Sequence, residues 1–140
     1  MYKNILLPYD FGNSFDNVPK ELDKLTSDDE KSIITIFNII TENEMSSDVK
    51  FNGKRFNEIV EEKTEQLKPF TDELDKLNLN YEIRFEVGRV IPQLLKEINA
   101  HDYDMIVMSN KRSKRDIKHV LGHVTHKIAK RVNTPVMIVK

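Results

Sequence analysis

The sequence predicts an α/β fold: an open, mostly parallel five-stranded sheet with helices on both faces. Three observations carry this. Five short apolar runs, at 3–9, 32–40, 80–87, 104–109 and 136–140, are β-branched or alternate in strand fashion. Helix-spaced segments separate each neighbouring pair, and strict strand–helix alternation forces right-handed crossovers. The 140 residues contain no internal repeat or low-complexity segment and make one domain with room for a proper core.

The first strand, KNILLPY, ends at Asp10, and Phe11-Gly12-Asn13-Ser14 follow as a turn. Asn13 or Ser14 is a candidate cap for a helix over 15–26 with Val18, Leu22 and Leu25 as its apolar stripe. Pro19 belongs in its first turn, so a late start is expected. KSIITIFNII at 31–40 is the strongest strand signal in the chain. From Thr41 to about Asp48 the composition is polar and reads as loop. A long helix is predicted over 52–78, where Phe56, Ile59, Val60, Lys63, Leu67, Phe70, Leu74 and Leu77 keep helical spacing. Pro69 inside it implies a kink or break near Lys68.

NYEIRFEV at 80–87 alternates and reads as a half-buried or edge strand, closed by a tight turn at Gly88. A helix over 90–100 turns Ile91, Leu94, Leu95 and Ile98 inward and tolerates Pro92 in its first turn. YDMIVM at 103–108 is apolar on both faces, as an interior parallel strand should be. The last helix is expected over 117–131, with a start as late as Gly122 as the alternative. PVMIV completes the sheet.

Composition bounds the function. No run of 18 apolar residues exists, so no helix should span a membrane. Absent cysteines remove thiolate nucleophiles, disulfides and sulfur-ligated metals, which fits a cytoplasmic protein. The chain opens directly on a strand-like segment, so secretion is not expected. Net charge is −1 but segregated: 17 acids against 10 Lys/Arg in 1–79, and 6 against 12 in 80–140. Such asymmetry permits a focused field at one site.

In this architecture ligands collect where strand C-termini meet helix N-termini. Two stretches lie there. Asp10 could cap its own turn, contact a ligand such as a ribose hydroxyl, or act in catalysis. MSNKRSKRDIKHVLGHVT at 108–125 holds Lys111, Arg112, Lys114, Arg115 and Lys118. That cluster suits a solvated loop, a small phosphorylated ligand held by an arginine fork, or an acidic partner. Nucleic acid is disfavoured, because no aromatics interleave with the patch and Asp116 interrupts it. His119, His123 and His126 share one helix stripe. Zinc needs a further ligand there and would sit beside five cations, so surface histidines, a phosphate contact by His123 or a pH response remain. Ser14, Ser109 and Ser113 form no recognisable triad, and neither GxGxxG nor GxxxxGK[ST] occurs.

Taken together, ILLPYD at 5–10, VGRVIPQLLKEINAHDYDMIVMSN at 87–110 and LGHVTHKIAKRVNTPVMIVK at 121–140 resemble the universal stress protein family, in family order and over nearly the whole chain. The resemblance implies a Rossmann-like, adenine nucleotide alpha hydrolase-like sheet of order 3-2-1-4-5. It also implies a homodimer paired along the C-terminal strand. Many members bind ATP through Gly, two residues, Gly, nine residues, Gly, then Ser or Thr. Those places fall here at Ser109, Arg112, Gly122 and His123, with Thr125 two positions on; only Gly122 matches. Asp10 matches the family carboxylate that approaches the ribose. Arginine cannot fill a glycine's volume, so the expectation is a non-catalytic, stress-associated regulatory protein without cofactor that does not hold ATP in the usual family manner and acts on an unidentified protein partner. The alternative is an adenine-nucleotide sensor, for ATP or AMP, with an arginine-containing phosphate loop.

Overall fold

The computed structural model describes residues 2–27, 30–109, 111–112 and 120–140, with the side chains of 48, 51, 52, 111, 112 and 120–123 excepted. Elements follow in the order β1 (Asn4–Pro8), β2 (Asn13–Ser14), α1 (Val18–Thr26), β3 (Ile33–Ile40), α2 (Glu42–Asn52), α3 (Phe56–Lys76), β4 (Tyr81–Val87), α4 (Val90–Ala100), β5 (Met105–Ser109), β6 (Lys111–Arg112), α5 (Val120–Arg131) and β7 (Val136–Val139). Five strands form one sheet ordered β4-β3-β1-β5-β7, every neighbouring pair parallel. With the two short strands set aside, this is the expected 3-2-1-4-5. Among the described residues no helix is long and apolar enough to cross a membrane.

Burial explains the strand sequences. β1 is buried from Ile5 to Pro8 and β5 throughout, so both are continuous apolar runs. The edge strand β4 keeps its alternation, with Glu82 and Glu86 exposed. At the other edge, β7 leaves Ile138 45% exposed. α1 packs beside α3, and α4 beside α5. Leu22, Leu67 and Leu74 line the core with Ile34, Ile36 and Phe37 of β3, and Leu94, Val124 and Ile128 join the same core from α4 and α5.

Several local expectations need correcting. The polar stretch after Thr41 is helix α2, not loop. Its start is secured by Thr41, whose hydroxyl accepts from the Glu44 amide at 3.2 Å. The long helix begins at Phe56, and Gly53, with φ +63°, separates it from α2. It runs without a break through Pro69; the stripe residues Leu67, Phe70 and Leu74 on either side are buried and hold it. Phe56 and Leu77, at its ends, are exposed. Asn13 and Ser14 do not cap α1. They form β2, and α1 starts at Val18 with Asn17 in the cap position and a proline in its first turn. Part of the basic loop is strand β6, which pairs antiparallel with β2. The last helix is described over Val120–Arg131, which sets aside a start as late as Gly122; the earlier expected start at 117 lies outside the described residues.

Candidate site at the C-terminal end of β1

The sheet opens next to β1. On one side β1 pairs with β3 through Pro8, and the Tyr9 amide extends the ladder to the Phe37 carbonyl at 2.8 Å. On the other side it pairs with β5 only at Ile5 and Leu6. Pro8 has no N–H to give a ladder, so a proline at this position suits a strand end where neighbours part. Crossovers leave in opposite directions here, which makes it the switch point where such sheets bind ligands.

The turn after β1 is fixed from both ends. Tyr9 stacks on Phe15 with ring centroids 4.1 Å apart and meets Phe70 of α3 at 5.3 Å. Burial, then the charges of Asp16 and Asp10, push its hydroxyl pKa up from 10.0. Asp10 accepts from the Gly12 amide at 2.8 Å, and its carbonyl accepts from the Asn13 amide at 3.1 Å. The capping reading of Asp10 is therefore realised, and its carboxylate also lines a cavity.

That cavity has a volume of about 580 Å³, within the range of small-molecule sites. Its apolar surface comes from Phe11, Phe37, Ile39, Ile59, Leu94 and Val124. Asn38 closes one side: its Nδ2 donates to the Tyr9 carbonyl at 2.8 Å, while its Oδ1 is buried without a partner among the described residues. The polar rim carries three carboxylates, Asp10, Glu44 and Glu62, against two ammonium groups, Lys54 and Lys63. Lys63 joins Glu44 at 3.1 Å and lies 4.9 Å from the centre of the Phe11 ring; Lys54 joins Glu62 at 2.7 Å. Carboxylates accept and cannot donate, so these walls suit an uncharged group rich in hydroxyl or amino donors.

The other sequence-derived candidates sit beside this cavity, not on its described walls. Ser109 ends β5, is buried, and donates its hydroxyl to the Ser14 carbonyl. Arg112 lies in β6 with its backbone opposite Asn13. The β2–β6 ladder thus ties the start of the basic segment to the Asp10 turn. Gly122 and His123 lie on α5, as does Thr125, which is buried. Lys114, Arg115, Lys118 and His119 lie outside the described residues, as do the side chains of Lys111, Arg112 and His123. His126 is exposed, and no cluster of three metal-ligating side chains exists among the described residues.

Sequence reasoning missed Asn38, Glu44, Lys54, Glu62 and Gln66. Lys63 stood out only as a charged residue on an otherwise apolar helix stripe, and that anomaly was the available signal.

A profile described as the universal stress protein family matches residues 1–140. Universal stress protein MJ0577 of Methanocaldococcus jannaschii is 24% identical over 157 residues, covering 100% of this chain and 96% of that one. Its solved structure superposes with a TM-score of 0.77 at 26% identity, over 100% and 96% of the two chains. UspA from Lactobacillus plantarum gives 0.72 at 14% identity, over 99% and 98%. The universal stress protein of Archaeoglobus fulgidus in complex with dAMP gives 0.57 at 17% identity, over 99% and 98%. With its whole length matched and the expected sheet order in place, this chain belongs to the universal stress protein family.

Proposed function

We propose that the protein is a non-catalytic regulatory member of its family that binds an adenine mononucleotide and does not hold ATP in the usual family manner. The carrying observation is the open cavity beside Asp10. Its donor-accepting rim and apolar walls suit a nucleoside, and the basic 109–125 segment begins beside it, where a phosphate would emerge. The dAMP complex of the Archaeoglobus fulgidus relative, and the cAMP and AMP complexes of two others with this fold, are consistent with that ligand class. Against ATP stand the replaced glycines: side chains at Ser109, whose hydroxyl donates to the Ser14 carbonyl, and at Arg112, whose backbone lies opposite Asn13, take the place of the two glycines that let a loop approach a triphosphate closely.

Calorimetry with AMP and ATP, on the wild type and on Arg112→Ala, tests this. Micromolar AMP binding that weakens about tenfold in the variant, with ATP no tighter, supports the reading. No heat with either nucleotide returns the protein to the class of pure interaction partners.

The sheet edge gives the same reading of assembly. β7 is an edge strand with Ile138 exposed, and pairing of two copies along it would cover both. Ile138→Lys should then convert a dimer into a monomer in sedimentation analysis; a dimer that survives the change places the interface elsewhere.

A further inference from the structure

We infer that α2 is a lid over the cavity, latched shut by the Lys63–Glu44 pair. The inference rests on the cavity being the nucleotide site and adds how that site opens.

α2 forms part of the wall through Glu44, and the residues flanking it, Thr41 and Lys54, also line the cavity. Yet its described side chains give it little hold on the core. Every described side chain from Glu42 to Lys50 is exposed except half-buried Met45, whereas α3 buries Ile59, Leu67, Phe70, Thr71 and Leu74. A helix with none of its described side chains buried opens at low free energy, well below global unfolding. Both ends are built to allow this. Thr41 caps the start, and Gly53 at φ +63° ends the segment with nothing within 4 Å of where a Cβ would lie.

The latch is Glu44. Thr41-Glu42-Asn43-Glu44 has capping-box spacing, in which the acidic side chain turns back toward the amide of the capping residue. Here the Thr41 half of the box is made, but the Glu44 carboxylate reaches across to Lys63 on α3 instead. The ammonium of Lys63 is held in place by Phe11, and its side chain is only 13% exposed. Glu44 therefore has two partners to choose between. On Lys63 it closes the cavity; turned back onto its own helix end, it releases α2 from α3, and the released helix, with none of its described side chains buried, opens its backbone hydrogen bonds more readily.

Hydrogen exchange over 42–52 tests the lid, on wild type, Glu44→Gln, Lys63→Gln and the double variant. Each single change should speed exchange there about two- to fivefold, as loss of a partly exposed ion pair would. The double change should add nothing further, because one interaction is removed once. Exchange in β1 and β3 should stay unchanged. Additive effects, or unaltered exchange over 42–52, overturn the latch. AMP should slow exchange over the same segment in the wild type. AMP that binds by calorimetry but leaves 42–52 unaffected overturns the lid. AMP that fails to bind removes the nucleotide reading instead, and the ligand-free variants then decide the latch by themselves.

Discussion

Asp10 performs two jobs that one substitution pair separates. Its Oδ1 accepts from the Gly12 amide at 2.8 Å and holds the turn; the same carboxylate lines the cavity. Asp10→Asn keeps an acceptor oxygen for Gly12 and removes the charge. Asp10→Ala removes both. A hydrogen bond to a charged acceptor nets about 1.5–3 kcal/mol, and half-burial places this one near the lower end, at about 1–2 kcal/mol. With a urea slope of about 1–3 kcal/mol per molar, Asp10→Ala should lower the unfolding midpoint by about 1 M, and Asp10→Asn by well under half of that. Binding should rank differently. If a ribose hydroxyl donates to the carboxylate, both variants lose that contact, and AMP should bind at least about tenfold more weakly to each. Urea titration and calorimetry on the three proteins read the two effects independently. Wild-type AMP affinity in Asp10→Asn would refute the ligand role and leave Asp10 as a turn residue alone.

Three further changes have defined outcomes. Gly88 has φ +151°, and an added Cβ would lie 2.9 Å from Gln93 Cγ, so Gly88→Ala should cost about 1–3 kcal/mol in urea unfolding. Ser109→Gly with Arg112→Gly restores the two missing glycines; it should raise ATP affinity about tenfold or more relative to AMP in calorimetry while lowering stability, since the Ser109 bond to the Ser14 carbonyl is lost. Tyr103 donates to buried Glu97 at 2.5 Å, and burial first, then that hydrogen bond, pushes its hydroxyl pKa far above 10.0. The folded form therefore holds its proton more tightly than the unfolded chain: the contribution is complete below pH 10 and is lost as pH rises beyond it. Urea unfolding at pH 8 and pH 11 should show a smaller alkaline loss in Tyr103→Phe than in the wild type.

What could be read from the sequence, and what could not, divides along a physical line. Strands β1, β3 and β5 were legible because burial on both faces forces an apolar run, and α4 because its inward stripe packs on the sheet. Asp10 was legible because its position after the first strand is set by topology. α2 was not, because none of its described side chains is buried, and hydrophobic periodicity reports burial and nothing else. Its one local signal was the Thr41–Glu44 spacing, which marks a helix start whether or not the helix packs. The rim was hidden for a related reason. Glu44, Lys54, Glu62 and Lys63 look like ordinary helix-surface charge, and only the fold carries them to the mouth of the cavity.

The same division bears on how the site works. The floor of the cavity comes from elements that fold as the core: Phe37 and Ile39 on β3, Leu94 on α4, Val124 on α5. The Asp10 turn is pinned by the stacking of Tyr9 on Phe15 and by the β2–β6 ladder. The cavity's cover comes from a helix attached, among the described contacts, by one ion pair and one cap, interactions worth about 1 kcal/mol each when partly exposed. A rigid floor keeps the ligand's geometry and therefore its selectivity; a weakly held cover sets the rate at which ligand enters and leaves. Changes to the floor should alter which ligand binds, and changes to α2 should alter how fast. Glu44→Gln should therefore speed AMP dissociation by the same two- to fivefold factor seen in exchange, with the AMP-to-ATP preference unchanged, measured by stopped-flow displacement. A variant that shifts the preference and leaves the rate untouched would place Glu44 on the ligand and not on the lid.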